Sequence, residues 1–195
     1  MNFKIYILLL FVFQFTTYGQ KFSLLRQNED LTRLDLIENK NLHQNLKAIE
    51  LFQNTTLSFG GSWRFQSESF INDEFDREVS QDNISYLNRF LAHAHFKVDD
   101  IFELFTELGS SLVTDKDNIS PVDKDELYIN QLFVKYKLAP YWGIDGGRQN
   151  LRLGSGRLID FREGPNVNRS FDFTEINFHN EKFSAKTFFA IPVQT

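Results

Sequence analysis

The chain has 195 residues, no cysteine, 21 Lys+Arg against 26 Asp+Glu, and a formal net charge of −5. With 42% hydrophobic and 24% charged residues it is too apolar for a disordered chain. The missing cysteines exclude disulfide scaffolds, thiolate metal sites and cysteine nucleophiles, and no apolar run of about 18 residues lies outside the N-terminus to build a helical membrane bundle. The mild acidity argues against nucleic acid as a partner. The unusual count is 22 phenylalanines within 15% aromatics, too many for one ordinary core. Either a large apolar surface faces something other than water, or much of the core is Phe.

The N-terminus reads as an export signal. Lys4 supplies the positive start, Ile5–Phe13 the short apolar stretch, and Thr17-Tyr18-Gly19 small residues at the cleavage site. Residues 1–19 are therefore expected to be removed before Gln20. A membrane anchor is the competing reading, but the stretch is short for about 30 Å of hydrocarbon. Residues 20–54 are polar with scattered leucines, including Leu31, Leu34 and Leu36. They read as a periplasmic lead segment holding a short helix near Leu42–Leu51.

From Thr55 the hydrophobic period becomes two, the signature of strands with chemically distinct faces. Leu57, Phe59, Gly61, Trp63 and Phe65 alternate with Ser58, Gly60, Ser62, Arg64 and Gln66. The second segment sets Tyr86, Phe90, Ala92, Ala94, Phe96 and Val98 against Arg89, His93, His95 and Lys97, with Leu87 and Leu91 as exceptions. The third opposes Phe102, Leu104, Leu108 and Leu112 to Glu103, Glu107, Gly109 and Ser111. In the fourth, Leu132, Val134, Tyr136 and Leu138 oppose Gln131, Lys135 and Lys137, and in the fifth Trp142 and Ile144 oppose Gly143, Asp145 and Gly147. The sixth begins at Ser170 with Phe171 and Phe173 outward, then changes phase to Ile176 and Phe178, which predicts a bulge. The last carries Phe183, Ala185, Phe189, Ile191 and Val193 on one face.

Connections alternate in length. Residues 67–83, 114–126 and 150–169 are long. Asp99-Asp100, Ala139-Pro140 and Asn180-Glu181 mark tight turns. Long external loops and short periplasmic turns are the rhythm of an outer-membrane barrel. A secreted β-sandwich that binds glycans without transporting them also alternates, but with its polar face to water and its apolar face inward. Here the polar faces are strongly charged and the apolar faces strongly aromatic, which suits a lipid exterior and a watery lumen. Tyr86, Tyr128, Tyr141 and Trp142 near strand ends would lie at the membrane interfaces. The expected fold is an antiparallel transmembrane β-barrel of the outer-membrane type. It is incomplete, because about seven alternating segments are an odd number and too few to close a conducting lumen. The chain is therefore expected to be the N-terminal part of a longer protein, with residues 55–195 forming the barrel portion.

Arginines are the candidate functional residues. Arg64 and Arg89 fall on polar strand faces, while Arg148, Arg152, Arg157, Arg162 and Arg169 crowd the third long loop among glycines. A guanidinium fork stays charged at physiological pH and binds carboxylates bidentately. Lining a lumen, such groups select anions. The plain alternative is a salt-bridged set with Asp145, Asp160, Glu163 and Asp172. Arg148 shares parity with outward Trp142 and Ile144. It must therefore lie above the hydrocarbon band, or a bulge at Gly146-Gly147 must turn it inward. His93 and His95 share a face but have no third ligand, so pore lining is favoured over a metal site. Asp115–Asn118 and Asp123–Glu126 fail the calcium-loop spacing, leaving a solvated acidic loop ahead of a weak external calcium site. No catalytic motif is present, so neither enzymatic activity nor a cofactor is expected, and a barrel enzyme of the lipase type is disfavoured.

Leu57-Ser-Phe-Gly60-Gly61-Ser-Trp-Arg64 resembles the opening strand of the alginate export family of outer-membrane β-barrels. Gly147-Arg148-Gln149, Gly154-Ser-Gly156-Arg157-Leu158, Arg162-Glu-Gly-Pro165-Asn166 and Arg169-Ser-Phe171-Asp172 continue the likeness in order. Ser62-Trp63 departs from it where a Glu before the Arg is expected. The resemblance implies a large barrel of about 18 strands, within the bacterial range, whose arginine-lined lumen passes an anionic polysaccharide. Its partners would be that polysaccharide, outer-membrane lipid, and periplasmic export or uptake components, in the outer membrane of a Gram-negative bacterium. Arg64, Arg89, Arg148, Arg157 and Arg169, with Arg152 and Arg162, are the pore-lining residues that it implies.

Overall fold

The computed structural model describes residues 23–29, 31, 34, 40–71 and 82–193. The export signal and its cleavage site lie outside the described residues, as do residues 72–81 of the first long loop. Residues 1–30 and 31–195 form two units. The first contains a 3-10 turn, Arg26–Asn28, beside an Arg26–Glu29 ion pair of 2.7 Å. The second contains a short helix and eight strands in one antiparallel sheet.

Helix α1 spans Leu42–Lys47 and starts where Asn41 caps the chain: the Asn41 side chain accepts from Gln44 N, and the Gln44 side chain accepts from Asn41 N. Strand β1, Ile49–Phe52, follows at once, so the sheet begins inside the segment read as its lead. Short, flanked by polar residues and without alternation, β1 gave no period to detect. The remaining strands are β2 (Thr55–Ile71), β3 (Asp82–Val98), β4 (Phe102–Thr114), β5 (Asp125–Ala139), β6 (Trp142–Gln149), β7 (Phe171–His179) and β8 (Ser184–Pro192). They pair strictly in chain order, and the sheet is not closed: β1 and β8 are its edges.

Tight turns gather at one end of the sheet and the long connections at the other. Asn54 and Asp99 take the left-handed conformation at φ 62° and 48°, tolerated by short polar side chains. Asn180 turns the chain by accepting Lys182 N and Phe183 N on its side-chain oxygen, at 3.0 and 2.8 Å.

One face of the sheet carries exposed Phe59, Trp63, Phe65, Phe90, Leu108, Leu132, Val134, Trp142, Ile176, Phe189 and Ile191, with nothing packed on it among the described residues. The other face carries the polar set and a transverse row in register, His95–Phe105–Phe133–Gly147–Phe173–Ala190. Phe105, Phe133 and Phe173 are its buried cluster, with Phe105 and Phe133 stacked at 5.4 Å and Leu151 packed against them.

Two expectations about phase are corrected by this register. Phe171 and Phe173 are buried on the polar side, not outward, because β7 pairs with β6 without a break from Phe178 to Phe171. The bulge lies instead in β5, where Asn130 and Gln131 together oppose Glu107. Alternation alone points this short apolar run outward. Here the inner face needs a dry aromatic layer where side chains crowd together.

Gly147 fits this row for steric reasons. Its φ is +129°, and a Cβ there would meet Leu132 O at 2.3 Å and Phe133 Cα at 2.7 Å. Gly147→Ala is expected to cost about 2–4 kcal/mol through backbone strain and a pried-apart β5–β6 pair. A fall in the urea midpoint of the folded protein would register it.

Candidate functional site

The polar face is organised around one carboxylate and one loop. Glu107 is 2% exposed on β4. A buried carboxylate is tolerable only with donors around it. The β5 bulge supplies two, since the extra residue lets successive side chains reach the same oxygen: Asn130 Nδ2 donates at 2.6 Å and Gln131 Nε2 at 3.0 Å. His93 lies 3.6 Å away on the third side, stacked on Phe105 at 5.4 Å.

The same bulge ties down both ends of the β6–β7 loop. Gln131 Oε1 accepts Asn150 N at 3.1 Å where the loop leaves the sheet. The Ser170 hydroxyl donates to Asn130 O at 2.7 Å where it returns. Between these anchors the loop folds back over the polar face and buries Phe161, Asn166, Val167 and Asn168. Asn166 is the central pin: its side-chain NH2 donates to Asp123 O (2.9 Å), Leu112 O (3.1 Å) and Asn88 O (3.3 Å), while its own carbonyl accepts Ser111 Oγ at 2.7 Å. Val167 N donates to Val122 O at 2.8 Å, so the β4–β5 loop is bound into the same cap.

Arg64 and Arg89 stand directly opposite each other on β2 and β3. Arg64 donates to Glu163 O at 2.6 Å and Pro165 O at 3.0 Å. Arg89, 4% exposed, donates to Pro165 O at 3.2 Å, to the Asn168 side-chain oxygen and to the Glu163 carboxylate. Two guanidinium groups thus share two loop carbonyls, Arg89 alone contacts the Glu163 carboxylate, and the Nε of each arginine is buried without a partner.

The other arginines are placed differently. Arg148 is corrected to the apolar side: β6 runs in unbroken register with β5 from Ile144 to Arg148, so parity is kept. Its guanidinium grips Asp172 bidentately at 2.8 and 3.1 Å. Arg152 lies 3.8 Å from Asp160 within the folded loop. Arg157, Arg162 and Arg169 are exposed on that loop, Arg162 with φ +55°. His93 and His95 turn to different carboxylates, His95 to Glu103 at 3.2 Å, and do not converge. In the acidic loop the Asp123 carboxylate points into the chain, toward Lys116 Nζ at 2.7 Å and Ser120 N at 2.8 Å.

Sequence reasoning missed Glu107, Asn130, Asn150, Asn166, Asn168 and Ser170. The readable signal was the parity break between Tyr128 and Gln131. The asparagines gave none, since their partners are carbonyls distant in sequence.

Asn166→Ala removes three bonds to buried carbonyls, at roughly 1–3 kcal/mol for a stranded buried group. It should release both caps together, seen as faster hydrogen exchange at residues 115–124 and 150–170. Burial raises the Asp123 pKa, but the Lys116 and Ser120 bonds outweigh it and hold the carboxyl below its ordinary value. A depressed folded pKa gives stability that is full above the usual carboxylate range and lost as pH falls through the folded value. Proteolysis of the β4–β5 loop should therefore accelerate below about pH 4, and Asp123→Asn should show that faster cleavage already at neutral pH.

The alginate export family model matches residues 55–195. No curated protein and no solved structure matches the chain. A match over most of the chain identifies it: this protein belongs to the alginate export family.

Proposed function

We propose that the protein is an outer-membrane channel wall that passes an anionic, alginate-like oligo- or polysaccharide passively, with the polar face of the sheet turned to the lumen. The observation that carries this reading is the inversion of the two faces: an exposed aromatic side and a charged side capped by an inward-folded loop. In water, so large an exposed apolar surface is unfavourable and rare on a monomer.

Two aromatic groups lie at opposite ends of that side. Trp63–Phe90 and Phe65–Tyr86 stack at 5.9 and 6.1 Å toward the long loops. Phe96, Phe102, Tyr141, Trp142, Phe178 and Phe183 cluster toward the tight turns. From Tyr86 to Phe96 along β3 the rise is roughly 26 Å at a tilt near 40°, close to the apolar height of an outer-membrane barrel. Bare strand edges in lipid would leave backbone groups unpaired at several kcal/mol each. In this reading β1 and β8 are therefore sealed by further strands of the barrel.

Arg64 and Arg89 are the innermost cations of the proposed path, with Arg152, Arg157, Arg162 and Arg169 approaching on the folded loop. Arg148 is left out of it, being paired on the lipid side. Family membership favours transport over catalysis and an outer-membrane location in a Gram-negative bacterium. In planar bilayers the whole protein should conduct anions in preference to cations. Arg64→Ala with Arg89→Ala should reduce the anion-to-cation permeability ratio several-fold, as removing a lining charge does in other pores. Cation selectivity in the unaltered protein would overturn the reading.

A further inference from the structure

We infer that Glu163 is a tethered stand-in for the carboxylate of the passing sugar, occupying an acid-binding subsite made by Arg64 and Arg89. This rests on the channel reading and gives it a resting, self-occupied state. Several observations converge on it. Arg64 and Arg89 face each other in register and are held at close range, an arrangement that costs like-charge repulsion unless an anion lies between them. The anion present is the Glu163 side chain, which contacts Arg89 Nη2. One carboxylate touches the pair: Glu163 contacts Arg89 alone, Arg64 meets only loop carbonyls, and the buried Nε of each arginine has no partner. Glu68, further along β2, is engaged by Gln66 at 2.7 Å.

The backbone and the carboxylate of Glu163 are bound separately. Glu163 O and Pro165 O are gripped by both arginines, and Asn168 holds Arg89 as well. The loop therefore stays clipped if the side chain leaves. That side chain is 42% exposed, against 4% for Arg89, so it can swing to water by rotamer change alone. A uronate carboxylate reaching Arg89 would exchange one charge-assisted bond for another of the same kind. A neutral sugar has nothing to offer in exchange. The subsite thus takes carboxylates, and Glu163 sets how strongly they must compete.

The test is current block of the whole protein in planar bilayers by a uronic-acid oligosaccharide and by a neutral oligosaccharide of equal length. Glu163→Gln and Glu163→Ala both remove the competitor and retain the backbone carbonyls, so either suffices if the other folds poorly. Each should tighten block by the acidic oligosaccharide about tenfold, the scale of one charge-assisted bond, and leave the neutral one unchanged. Unchanged or weaker acidic block in an otherwise anion-selective channel would overturn this inference while the channel reading stands. Equal tightening for both sugars would also overturn it, since that is widening without recognition. Cation selectivity in the unaltered protein would remove the channel reading and this inference together.

Discussion

Every strand from β2 to β8 is divided by its period of two into an apolar side and a polar side, and the rest of the structure answers that division. Neighbours paired in register put like sides together, so six consecutive pairings add up to one aromatic surface and one charged surface. A single slip of register would exchange them. The one arginine of β2 to β8 that the register leaves on the aromatic side, Arg148, is held by a counter-ion on the same side, Asp172.

The polar side has the harder problem. Covered by the folded loop, it buries groups that carry charge or hydrogen-bonding valence, and such groups need partners. Part of the solution is to be dry: Phe105, Phe133 and Phe173 form an aromatic row with Gly147 giving the clearance. Part is to be hydrogen-bonded: the β5 bulge aims two amides at one oxygen of Glu107. The rest is supplied by the β6–β7 loop, whose carbonyls and side chains answer Arg64, Arg89 and Ser111. The loop is thus both a structural complement to the face and the obstacle that any solute moving along it would meet.

A bulge that looks like a local irregularity is therefore what joins the two tasks. Without the extra residue, Asn130 and Gln131 would point to opposite sides, Glu107 would lose a donor, and one end of the loop would lose its anchor. Strand, carboxylate and loop are coupled through those two adjacent side chains.

The sequence by itself determined the class of fold, seven of the eight strands, the division into long and tight connections, the opposition of aromatic and charged faces, and the resemblance to the family. The resemblance rests on the ordered glycine- and arginine-bearing motifs; the rest follow from periodicity and turn chemistry, which act over a few residues. It also put Arg64 and Arg89 on the polar side. What only the tertiary structure decided is where the loop goes and which face each misfit takes. Phe171 and Phe173 turn inward because the unbroken β6–β7 register puts them on that side, where Phe173 joins Phe105 and Phe133. Arg148 stays outward because the unbroken register leaves it no choice, and Asn166 matters because three strands and loops happen to present carbonyls to it. Those outcomes depend on partners tens of residues away, and no local pattern encodes a partner that only folding brings near.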